Sequence, residues 1–190
     1  VARSSYLPEA RWDRLGVGPI WTRAVMSAIS AHGEDLENTV PRDIETWCPA
    51  YQTNSPEKRR AFWAGMISLL ARYESTYRPE AVGGGGRWFG LMQILPSTAA
   101  HFGCRATTGE ALKVPEDNLA CAVRIMNVTV PRDEAIALRD SRWRGVAADW
   151  GPMTDRDKIN AMASWTRSQS YCTTLDAIRP KKRPISMASQ

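Results

Sequence analysis

Apolar residues recur along this chain at helical intervals, with little of the strict alternation that marks strands. In 57–77, Trp63, Ile67 and Leu70 share one helical face, and Glu74 falls on the same stripe. The start of that segment is well marked. Ser55 suits an N-cap, Pro56 the first helical position, and Glu57 the positive end of the dipole. Pro79 is placed to end the helix near Tyr77. Further helices are predicted over 21–37, carrying Val25, Ile29 and Leu36, from Pro96 onward, and over 118–130, with Leu119, Ala122, Val123 and Met126 on one face. A last helix is predicted from Thr154, whose hydroxyl makes a capping box with Asp157, toward Ser168. Residues 1–16 read as an extended arm, 46–54 as turn-rich, and 90–94 as a short β-like segment. No internal repeat is visible. The pattern predicts a mainly α fold with that one β-like segment.

Glu74 is the position the pattern does not explain. A carboxylate on an apolar stripe either snorkels to solvent from the helix end or is buried. A buried acid without a cation has its pKa raised, stays protonated, and can donate a proton near neutral pH. The glycine run 83–86 follows shortly after. It has no preceding strand in a βαβ setting and no lysine at Walker spacing, so it reads as a loop that lets backbone pass close to something rather than as a phosphate cradle.

Composition narrows the class. With 190 residues, 43% hydrophobic and 24% charged, the chain suits one compact domain with a sizeable core. No run of about 18 apolar residues is present, so no membrane-spanning helix is expected. The net charge of +5 comes from 25 basic against 20 acidic residues. Part of it lies in Arg179, Lys181, Lys182 and Arg183, near the C-terminus. There is no helix-turn-helix, finger or single-strand-binding signature, so nucleic acid is not an expected partner. Cys48, Cys104, Cys121 and Cys172 contain no C-x-x-C, and with only His32 and His101 to help they make zinc a poor explanation. Two disulfides fit better, Cys104 with Cys121 across a polar loop and Cys48 with Cys172 across the domain, and would imply an oxidising compartment. The alternative is four free thiols in a reducing one.

Two further stretches carry a resemblance. Glu74-Ser75-Thr76-Tyr77-Arg78-Pro79-Glu80-Ala81 resembles the E-S-x-[FY]-x-P-x-A motif of the SLT-type bacterial lytic transglycosylases, relatives of goose-type lysozyme. Gly90-Leu91-Met92-Gln93-Ile94-Leu95-Pro96-Ser97-Thr98-Ala99 is similar to their second motif, and Asn118-Leu119 stands where the family has N-[IL]. The resemblance covers roughly 48–165. It implies a lysozyme-like α fold, stapled here by disulfides, and cleavage of the β-1,4 bond between N-acetylmuramic acid and N-acetylglucosamine in peptidoglycan strands. In such enzymes one glutamate protonates the leaving oxygen and then, as carboxylate, takes the proton of the muramyl 6-hydroxyl, leaving a 1,6-anhydro end. The domain division expected on this basis is an arm and helix over 1–44, a catalytic domain over 45–176 and a basic tail over 177–190. A periplasmic or secreted monomer is expected, without cofactor or metal, with cell-envelope proteins as possible partners.

By the same resemblance Glu74 is the catalytic acid and base. Ser75 orients it or caps the helix end. Gln93, with Met92 beside it, supplies hydrogen bonds to the sugar or its N-acetyl group. Asn118 either contacts ligand or satisfies backbone groups at a helix start. Trp88, after the glycine run, is the tryptophan of the eight in the chain that is expected in the cleft. Tyr77 joins the substrate-binding candidates although core packing is its default. The third motif departs from the family: against A-Y-N-A-G-P the chain has Ala147-Ala148-Asp149-Trp150-Gly151-Pro152, with Ala148 in place of the tyrosine. Asp149 or Trp150 takes over part of that role, or another tyrosine fills the space. If Asp149 faces the cleft, it is a second carboxylate that permits hydrolysis. A lytic transglycosylase, a water-using muramidase and an inactive glycan-binding module therefore all remain open.

Overall fold

A computed structural model describes residues 6–174. The basic tail expected over 177–190 lies outside the described residues. Seven helices dominate: α1 (Gly18–His32), α2 (Glu34–Asn38), α3 (Ile44–Trp47), α4 (Pro56–Ser75), α5 (Pro96–His101), α6 (Pro115–Asp133) and α7 (Arg156–Arg167). Two antiparallel hairpins complete the described fold, β1 (Val82–Gly83) with β2 (Trp88–Phe89) and β3 (Ala137–Arg139) with β4 (Trp143–Gly145). No helix among the described residues is long and apolar enough to cross a membrane.

The axis of the molecule is α4. Ser55 Oγ accepts from the Lys58 N–H at 3.3 Å, and Pro56 opens the first turn, as the sequence predicts. The single apolar stripe read from the sequence is too narrow, however, because every residue from Ala61 to Ala71 is buried. A helix covered on all sides shows no one-sided periodicity and belongs at the centre of a domain. Around it close α1, α2, α7 and the segment 151–154. Gly65 is where the C-terminal segment crosses: a Cβ there would run into the Tyr171 hydroxyl, which donates to the Glu9 carbonyl at 3.0 Å.

Aromatic residues fill this core, and the polar tips of Trp12, Tyr51, Trp63 and Tyr171 are satisfied within it. Trp63 Nε1 donates to Tyr51 Oη at 2.8 Å, and that hydroxyl donates on to the Glu37 carbonyl at 3.1 Å. Trp12 Nε1 donates to Thr22 Oγ1 at 2.8 Å, which anchors the residues before α1 on the same core. Both expected disulfides are present. Cys48–Cys172 links positions 124 apart, and Cys104–Cys121 closes the loop between α5 and α6 across 17 positions.

Several elements differ from the sequence expectation. The helix read over 21–37 is two, because Gly33 breaks it and its N–H turns back to the Ile29 carbonyl at 2.8 Å. The last helix is capped by Asp155, which accepts from the N–H groups of Asp157 and Lys158, whereas the Thr154 hydroxyl donates to the Gly151 carbonyl. The strand pairing falls at 82–83 and 88–89, and 90–94 is a turn joined to it by the single bridge of Phe89 with Ile94. The hairpin β3–β4 has no signal in the pattern because acids hold it. Asp43 accepts from the Ile136 and Ala137 N–H groups, both at 2.8 Å, and buried Asp133 accepts from the Gly145 N–H while pairing with Arg132.

Candidate active site

Glu74 stands in the last turn of α4, half-buried, where the chain leaves the core. The helix closes at once beyond it. Thr76 and Tyr77 both take left-handed backbone, φ +54° and +61°, and the Thr76 N–H returns to the Arg72 carbonyl. Two consecutive non-glycine residues in that region are locally unfavourable and persist only where the surroundings hold them. Here the Ser75 hydroxyl donates to the Ala71 carbonyl at 3.1 Å, Arg78 Nε donates to the Ser75 carbonyl at 3.3 Å, and the buried Tyr77 ring packs edge-on to Trp12.

Among the described residues the Glu74 carboxylate has neither hydrogen bond nor ion pair. Loss of water around it pushes the acid up to about 7, and the charge of Lys158 works in the opposite direction. The group therefore exchanges its proton near neutrality and can both give and take one.

The turn at 90–94 is clamped from several sides. Asn118, fully buried in the first turn of α6, accepts from the Met92 N–H at 2.9 Å through Oδ1. Its Nδ2 donates to the carbonyls of Phe89 at 3.0 Å and Leu112 at 2.9 Å. Trp150 Nε1 donates to the Met92 carbonyl at 2.9 Å. Gly90, at φ +79°, is required at this crossing, since a Cβ would meet the Leu112 carbonyl and the Asn118 amide. Gln93, itself left-handed at φ +48°, donates through Nε2 to the carbonyls of Ala81 at 3.1 Å and Gly90 at 2.9 Å, while Oε1 lies against Gly83.

These contacts change the roles expected from the sequence. Asn118, Met92, Trp150 and Ser75, grouped there with substrate-binding residues, are instead buried scaffold whose polar atoms are used within the fold. Of the alternatives open for Asn118 and Ser75, the geometry matches the one that satisfies backbone groups. Tyr77 is buried against Trp12, and its hydroxyl has no partner among the described residues. Gln93 and Trp88 remain half-exposed, with the Arg87 guanidinium 4.7 Å above the Trp88 ring. Asp149 is exposed just after the Ala148 position. Crowding by neighbouring atoms raises its carboxyl above the usual range, and the charges acting on it are Arg132 and Asp133, not Glu74.

One neighbour of the acid has no signal in the sequence. The charge of Lys158, in the first turn of α7, acts on Glu74 because α7 packs on α4, a long-range pairing that no local pattern announces.

The Transglycosylase SLT domain matches residues 52–148, and the chain belongs to that family. Comparison with curated proteins found no match. Solved structures of DslA (Bd0314) share the lysozyme-like fold: a glutamate-to-glutamine mutant superposes with a TM-score of 0.80 and the wild-type form 2 with 0.79. Both are 28% identical over 89% of this chain and 100% of theirs. Family and fold together support a lytic-transglycosylase-type or lysozyme-like function on glycan.

Proposed function

We propose that the protein is a peptidoglycan lytic transglycosylase, working outside the cytoplasm in the periplasm or as a secreted protein, with Glu74 as acid and then base. The observation that carries this reading is the state of Glu74: desolvated, raised to about 7, and influenced by no other carboxylate among the described residues. In the first step its proton goes to the glycosidic oxygen as the C1–O4 bond breaks and the N-acetylglucosamine end leaves. In the second the carboxylate takes the proton of the muramyl 6-hydroxyl as O6 bonds to C1, so the acid is regenerated and no water is consumed.

Glycosidases that use water or a protein nucleophile pair two carboxyl groups about 5 to 9.5 Å apart. Two carboxylates at the short end of that range would each raise the other, and Glu74 and Asp149 do not. Within eleven residues of Glu74 on either side the sequence holds one further acid, Glu80, which is exposed. In the DslA structures two different glutamates, eleven positions apart in that chain, were each replaced by glutamine. Among the described residues no carboxylate acts on Glu74, which favours the substrate's own 6-hydroxyl as nucleophile, because well-oriented intramolecular attack reaches effective molarities of about 10⁵ M or more.

Mass analysis of the sugar ends released from purified sacculi tests this. Muramyl ends lighter by one water and inert to borohydride are expected. Reducible ends that disappear in Asp149→Asn would overturn the reading in favour of hydrolysis.

A further inference from the structure

Beside the end of α4, positive side chains gather on aromatic rings rather than on carboxylates. Arg139 and Trp143 are cross-strand partners in the register of β3 with β4, and the guanidinium stands 5.6 Å from the centre of the indole. Arg156, the first residue of α7, places a second guanidinium 5.1 Å from the same ring. Trp143 is half-buried and packs on the core, so this platform is fixed. The first turn of α7 carries the surface on toward the acid, because Lys158, two residues after Arg156, holds its ammonium 5.6 Å from the centre of the Tyr73 ring. Tyr73 directly precedes Glu74.

The two arginines have no acid of their own among the described residues. Asp133 pairs with Arg132 and Arg144, Asp140 pairs with Arg144, and Asp155 holds Lys158 together with two N–H groups of α7. Asp157 shares the turn with Arg156 and makes no ion pair with either arginine. Two like charges drawn to one indole repel each other, and an anion seated between them relieves that repulsion. The planar fork of a guanidinium matches a carboxylate at two points. A peptidoglycan strand supplies such groups, since its muramyl residues bear short peptides with free carboxyl ends. Four extended residues span roughly 13 Å, more than twice the rise of about 5 Å in the helical turn that joins Arg156 to Lys158. A peptide on a muramyl residue held at Glu74 is long enough to cross that turn.

We propose that Trp143, with Arg139 and Arg156 upon it, is a docking surface for the carboxylates of the substrate's own peptides. The proposal rests on the reading of the protein as a peptidoglycan-cleaving enzyme, and the test keeps the two apart. Binding is measured by calorimetry with the full chain carrying Glu74→Gln, against glycan fragments with their peptides and against the same fragments stripped by an amidase. Stripping should weaken binding about tenfold, the scale of two exposed charge pairs. Adding Arg139→Gln and Arg156→Gln should cause the same loss on the peptide-bearing fragment and none on the stripped one. Equal affinity for both fragments, or none for either, overturns the proposal, as does peptide-dependent binding that the arginine substitutions leave unchanged. An equal loss on both fragments overturns it by setting the arginines against sugar, and inorganic polyphosphate binding as tightly as the peptide-bearing fragment overturns it by marking an unselective anion patch. Peptide-dependent, arginine-dependent binding by a chain whose parent cleaves no glycan would keep this surface and overturn the transglycosylase instead.

Discussion

At the scale of single residues, the position that the sequence could not place as packing is the one whose environment is unusual. Glu74→Gln keeps shape and polarity but removes the transferable proton, so glycan cleavage should fall by a factor of about 10² to 10⁴ or more. The same variant carries a second, independent signature. The folded state holds the proton of Glu74 up to about 7 against an ordinary 4.5, so folding takes up a proton between those values and stability declines as pH rises through them. The penalty is absent below about pH 4 and complete above about pH 7, on the order of 2–3 kcal/mol. Melting curves should therefore show Glu74→Gln matching the parent at pH 4 and exceeding it by several degrees at pH 8. Equal melting at both values would mean that the carboxyl is solvated. Glu74 was legible because an acid on an apolar face violates a local rule. Lys158 breaks no such rule.

Among the elements, the ones that depend on local chemistry could be read in advance and the ones that depend on distant acceptors could not. Ser55 and Pro56 announce α4, and Pro96 announces α5. Hairpin β3–β4 rests on Asp43 and Asp133, which are neither in its strands nor part of any strand pattern. The motif around Gly90 teaches the converse: its residues were visible, but their roles were not, because a saturated amide and a ligand-seeking one look alike in sequence. Asn118→Ala would strand the Met92 N–H and the carbonyls of Phe89 and Leu112 in the interior, a loss of about 3–5 kcal/mol. Urea unfolding should show that loss. A change within 1 kcal/mol would mean that the turn at 90–94 holds its shape without the asparagine.

For the whole molecule, the cysteine pairing followed from the sequence, whereas the central place of α4 did not, since continuous burial erases the periodicity that reveals a helix face. Chain-entropy reasoning gives the two bridges unequal weight: about 5 kcal/mol for the link across 124 positions and about 3 kcal/mol for the one across 17. Replacing Cys48 and Cys172 by serine should lower the denaturation midpoint more than replacing Cys104 and Cys121, and thiol titration of the denatured, unreduced protein should find no free cysteine. The burial of α4 has a further consequence for how the protein fails. Active-site groups often sit on segments that open well before the rest of a domain. Here the acid is carried by the last turn of the helix against which α1, α2 and α7 pack, so it is fixed to an element whose middle lies in the core. Function and foldedness should therefore be lost together, with activity and tryptophan fluorescence falling along one melting curve; activity lost well before the fluorescence change would show instead that the end of α4 opens first.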